Sequence, residues 1–208
     1  DCVSGGEVQA AIEAGFPADK VVYAGVGKSD REILLALQHD IFCFNVESIP
    51  ELEVINELAV RENKIASICL RVNPNIKAHT HTHIRTGVAE NKFGIAFIEI
   101  MYVIKLANTM SNITFKGLHF HIGSQITEMD DFISLCMCIN RLLEMMEVEG
   151  IKAEIINVGG GLGVDYDTPQ MHAIPDFHAY FQTYINNLQL RPWQTLHFEL
   201  GRSVVAQC

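Results

Sequence analysis

Three stretches of this chain carry groups able to do chemistry. In the run 115–123, His119 and His121 lie two residues apart, so on a β-type segment they share a face. An imidazole there can stack on a flat ring or move a proton; a hydrogen-bonded core histidine is the plainer alternative. Ser124 follows, placed either to cap the next element or to reach a phosphate. In Gly159-Gly160-Gly161-Leu162-Gly163 the bare backbone can approach a phosphate closely, or the run is only a tight turn. It does not fit the dinucleotide fingerprint, because the sixth position from Gly159 is Val164. In Glu199-Leu200-Gly201-Arg202, the carboxylate suits a protonated heteroaromatic nitrogen and the guanidinium fork suits phosphate or carboxylate. Alternatively, the acid and the base pair with each other.

Strands must hold these groups. The runs 20–25, 41–47, 65–73, 115–123, 154–159 and 195–201 are short, apolar or alternating, and end in Gly, Asn or polar residues. Ser4-x-x-Glu7, Ser29-x-x-Glu32 and Ser48-x-x-Glu51 each fit a capping box ahead of an apolar stripe, and 132–148 supplies another helical pattern. Strand–helix–strand order implies a parallel sheet with helices outside. Such a chain reads as a (β/α)8 TIM-like barrel that is incomplete, without its first βα unit, since a full barrel takes about 250 residues. An open doubly wound sheet is the alternative. In a barrel the histidines, the glycine run and the Glu-x-x-Arg pair fall at strand C-terminal ends, where barrel enzymes place their sites.

Two further motifs point elsewhere. Gly25-Val26-Gly27-Lys28-Ser29 looks like a P-loop, but the position five residues before Gly27 is Val22 rather than Gly, and Ser29 is an N-cap. The run His79-Thr80-His81-Thr82-His83 puts three imidazoles on one side of an extended segment. No carboxylate or Cys lies at ligand spacing, so a polar loop is expected and no metal site. Fifteen basic against twenty-five acidic residues give a net charge of −10, which argues against nucleic acid or an anionic membrane as partner. No apolar run reaches the roughly eighteen residues of a membrane span. The six cysteines form no CxxC, which suits free thiols and a cytoplasmic location. The opening Asp1-Cys2-Val3-Ser4 without Met suggests a true N-terminus upstream.

Six stretches in order, DCVSGGEVQAAIEAGF, CLRVNP, TGVAENKFGI, GLHFHIGSQI, INVGGGLGVDY and FELGR, resemble the fold-type-III pyridoxal-phosphate-dependent decarboxylases, most closely the diaminopimelate branch. The resemblance runs from Asp1 to Arg202 and implies one partial barrel domain over residues 1–208, binding pyridoxal 5'-phosphate. It implies that His121 stacks on the cofactor ring and that Ser124, Gly159, Gly160 and Gly161 bind the phosphate. Glu199 would pair with the pyridine nitrogen, Gly201 and Arg202 would complete the cofactor site, and Arg202 would contact phosphate or a substrate carboxylate. Asp1 and Glu7 match acidic positions near the cofactor. The implied reaction converts meso-diaminopimelate to L-lysine and CO2 in a homodimer of the full-length protein. Arginine or carboxynorspermidine decarboxylation, or cofactor binding without catalysis, are the alternatives.

The chain departs from this pattern in two ways. Leu200 stands where the family usually has Pro. The family's Schiff-base lysine precedes the D-x-V-S-G-G stretch, and its β-domain follows the barrel; neither lies within these residues, so the 208-residue chain alone is expected to be inactive.

Overall fold

A computed structural model describes residues 1–76, 93–171 and 174–206. The chain divides into two compact units, Asp1–Val72 with Phe93–His119, and Asn73–Lys92 with Phe120–Cys208. The triple-histidine run lies outside the described residues.

In the first unit, β1 (Val22–Tyr23), β2 (Cys43–Val46) and β3 (Ala66–Asn73) are parallel neighbours, with Tyr23 opposite Phe44 and Phe44 opposite Ile68. Cys2 adds a parallel bridge to Tyr23. The two-residue β4 (Ile95–Ala96) pairs with β3. Next comes β5 (Ile113–Phe120), whose last residue begins the second unit. Helices α1 (Gly5–Glu13), α2 (Asp30–Gln38), α3 (Ile49–Arg61) and α4 (Ile100–Thr109) alternate with these strands.

The capping serines start three of these helices, with one variation. At α2 the Ser29 N–H and hydroxyl both donate to Glu32 Oε2, at 3.1 and 2.7 Å. At α1 and α3 the Ser4 and Ser48 hydroxyls accept from the third helical N–H. There the glutamates reach one residue further back, to the N–H of Val3 and of Glu47. The Ser4 and Ser48 hydroxyls thereby satisfy otherwise orphaned first-turn donors.

In the second unit, β6 (Ile155–Asn157) and β7 (Thr195–His197) are parallel, with Asn157 opposite His197. Helices α5 (Met129–Val148), α6 (Phe177–Asn187) and α7 (Gly201–Val205) accompany them. Phe132, Tyr180 and Tyr184 pack edge to face beside Phe198, and Cys136 is fully buried on α5. Burial pushes the Cys136 thiol up to about 12. The strand–helix alternation and the parallel pairings are those shared by a (β/α) barrel and an open doubly wound sheet.

Candidate functional site

The glycine run sits where three loops of the second unit meet. A Cβ on Gly159 would strike the Phe120 carbonyl and the His121 ring; one on Gly160 would strike the Glu199 carbonyl; one on Gly161 would strike the Gly123 carbonyl. Gly159 and Gly161 also hold φ of 71° and 102°, open mainly to glycine. The turn and the close approach are therefore both real, and the glycines bring the segments after β5, β6 and β7 together. Two backbone bonds of 2.8 Å, Ile126 N–H to Gly161 and Gly163 N–H to Ile126, lock the first two of these segments.

On that frame the chemical groups assemble. Asn157, the last residue of β6, donates from Nδ2 to Glu199 Oε1 at 2.8 Å, and its Oδ1 accepts the Gly159 N–H at 2.9 Å. One amide thus holds the carboxylate and the turn together. The Gly160 N–H points to His121 Nδ1 at 3.4 Å, a long contact. Arg202 donates from Nη1 to the Tyr166 hydroxyl at 2.6 Å and from Nη2 to Ser124 Oγ at 3.3 Å. Among the described residues it forms no ion pair, so the alternative of a mutual Glu199–Arg202 bridge fails. His197 is half-buried; burial lowers its pKa, against the upward pull of Glu199. Beside these groups a cavity of about 490 Å3 is lined by Gln125, Val164, Tyr166 and Asp176, among others.

Asp1 and Glu7 belong to the first unit and are exposed. Glu7 is engaged with the Val3 N–H. The P-loop look-alike is accounted for differently: the Lys28 side chain is buried and gives its three protons to Gly25 O, Asn45 O and Glu51 Oε1, at 2.7, 2.8 and 2.7 Å. That leaves it no donor for a phosphate. In the same unit Arg71 Nη1 meets both Glu47 carboxylate oxygens, at 2.7 and 2.9 Å, out of water.

Sequence reasoning overlooked Asn157, Tyr166, Glu47 and Arg71. Asn157 had a visible signal, a polar amide in an otherwise apolar strand next to the glycine run. Tyr166 had none, since only the fold brings it to Arg202.

A carboxylate held in place, an imidazole at a glycine turn, and a guanidinium beside a hydroxyl lie together in the second unit. Residues 1–206 match the family model described as pyridoxal-dependent decarboxylase, pyridoxal binding domain, and the chain belongs to that family. It is 62% identical over 208 residues to the diaminopimelate decarboxylase of Bacteroides thetaiotaomicron, covering all of this chain and 54% of that protein. To the Haemophilus influenzae enzyme of the same name it is 43% identical, over 99% of this chain and 49% of the relative. The crystal structure of diaminopimelate decarboxylase from Helicobacter pylori complexed with L-lysine superposes with a TM-score of 0.89 at 38% identity, over 99% of this chain and 51% of the other. The chain thus spans about half the length of the curated relatives it matches. Its fold class is an incomplete (β/α)8 barrel, and its cofactor is pyridoxal phosphate. The residues present fit that group: an oriented acid for the ring nitrogen, and a hydroxyl with a guanidinium for the phosphate. No helix among the described residues is long and apolar enough to cross a membrane.

Proposed function

We propose that this chain is the cofactor-binding part of an amino-acid decarboxylase that converts meso-diaminopimelate to L-lysine and CO2. The observation that carries this reading is one compact unit holding both a fixed carboxylate, Glu199 on Asn157, and an anion-seeking fork, Arg202 beside Ser124. The choice of substrate is supported by 62% identity along the whole chain to a relative named diaminopimelate decarboxylase.

When bound, pyridoxal phosphate supplies an electron sink for the breaking bond between the α-carbon and CO2. Glu199 keeps a proton on the ring nitrogen, and Asn157 keeps Glu199 in place. His121 would stack on the ring. Ser124, Gly159, Gly160 and Gly161 would hold the phosphate, Gly201 and Arg202 would complete the cofactor site, and Arg202 would contact phosphate or a substrate carboxylate. Residues 1–208 act as one partial barrel domain of a cytoplasmic homodimer. The free cysteines among the described residues support that location.

The test is to load the complete gene product with pyridoxal phosphate and supply meso-diaminopimelate, L-arginine or carboxynorspermidine in separate assays. Release of CO2 with L-lysine from meso-diaminopimelate supports the reading. Faster release from either of the other two reassigns the substrate. Cofactor binding without CO2 from any of them makes the protein a non-catalytic binder.

A further inference from the structure

We infer that Tyr166 is the positioning residue of the anion site: its hydroxyl fixes the Arg202 fork and so sets how strongly the site takes a phosphate monoester. The inference rests on the reading of Arg202 as a phosphate ligand. Arg202 is exposed and stands on a helix of five residues, so packing does little to choose its rotamer. Two hydroxyls do so instead. Nη1 meets the Tyr166 oxygen at 2.6 Å and Nη2 meets Ser124 Oγ at 3.3 Å. Two different nitrogens of one planar group are thereby engaged, which sets the plane of the fork. The guanidinium carbon lies 6.0 Å from the Tyr166 ring centroid, at the limit of a cation–π contact, so the hydroxyl rather than the ring face does the holding.

Tyr166 can do this because its own backbone is pinned on both sides. Before it, the buried Gln125 amide bonds Val164 twice, donating to its carbonyl and accepting its N–H at 3.1 Å. After it, Asp165 Oδ1 accepts the N–H groups of Asp167 and Thr168, at 2.9 and 2.8 Å. The residue next to Ser124 thus anchors the segment that carries Tyr166. Each hydroxyl, while accepting from Arg202, keeps its own proton to give to an anion oxygen. A fork flanked by two such donors suits a tetrahedral dianion with several oxygens to satisfy.

The test compares pyridoxal phosphate with pyridoxal, which lacks the phosphate, by spectroscopic titration of the complete gene product and of its Tyr166→Phe variant. The variant keeps the ring and loses only the hydroxyl. The expected result is about tenfold weaker binding of pyridoxal phosphate, the loss of one charge-assisted hydrogen bond, with pyridoxal unchanged. Equal weakening of both ligands, or of neither, overturns the role of Tyr166. A wild-type protein that does not prefer pyridoxal phosphate over pyridoxal overturns the phosphate reading of Arg202 itself, and the inference falls with it.

Discussion

Asn157 and Glu199, 42 residues apart in the chain, are joined by a 2.8 Å bond from an amide at the end of one strand to a carboxylate just past its parallel neighbour. The same amide accepts the Gly159 N–H, so its removal orphans a buried donor as well as freeing the carboxylate. Asn157→Ala should cost about 2 kcal/mol in urea unfolding. Asn157→Asp should cost more at neutral pH than at pH 4, because two facing carboxylates repel when both are charged. A pH-independent Asp variant would argue against the pairing.

Gly160 is the sharpest steric test of the loop junction. Its φ is not left-handed, so a side chain meets no backbone objection, only the Glu199 carbonyl that its Cβ would strike. Gly160→Ala should destabilise by about 1–3 kcal/mol and weaken pyridoxal phosphate binding, since Glu199 must retreat. At the exposed Gly150, with φ of 69° and open space around it, the same change carries only the backbone penalty and should leave binding intact. Titration of both variants with the cofactor separates the two cases.

Glu32 governs acid sensitivity in the first unit. The Ser29 hydroxyl, then the Gly5 and Ser29 N–H groups, hold its carboxyl down to about 2 against an ordinary value of 4.5, and the Tyr23 hydroxyl adds to this. A depressed folded value means the stabilisation is complete above pH 4.5 and disappears as the pH falls toward 2. Because Glu32 is partly exposed, solvent screening reduces the contribution to about 1 kcal/mol or less. Glu32→Gln should lose that amount at pH 7 and match the wild type near pH 2. Denaturant midpoints across that range check it.

Lys28 should prove structural. Lys28→Met leaves Glu51 buried without its cation, and burial already pushes the Glu51 carboxyl up. The expected loss is about 3–5 kcal/mol, with partial recovery in the double variant that adds Glu51→Gln. Borohydride reduction in the presence of pyridoxal phosphate should leave Lys28 unlabelled, as peptide mapping would read.

Much of this architecture was legible in the chain because it is local. Ser4, Ser29 and Ser48 each announce a helix through bonds that span three or four residues. Strand ends were less so. The run 20–25 yields only Val22–Tyr23, because Lys20 closes a 3-10 turn, Ala18–Lys20, and Gly25 turns away with φ of 102°. Helix α6 lacks a glutamate to complete a capping box and starts instead on Asp176, yet Phe177, Tyr180, Phe181 and Tyr184 do keep a helical spacing. In the site, residue types were readable and partners were not. Nothing near Arg202 in sequence indicates that it turns to Tyr166 and Ser124, 36 and 78 residues away. Such bonds depend on how the strands are ordered, which periodicity does not encode.

The bond between Asn157 and Glu199 also sets a clock for the ribosome. Synthesis delivers His121, Ser124 and the glycine turn first, and the carboxylate emerges 42 residues after the amide that will hold it. At roughly 5–20 residues per second the nascent chain waits about 2–8 seconds in this state. During that interval β6 has no β7 to pair with, and the Asn157 side chain lacks its carboxylate partner. The half-built sheet edge is then open to chaperones and to neighbouring nascent chains.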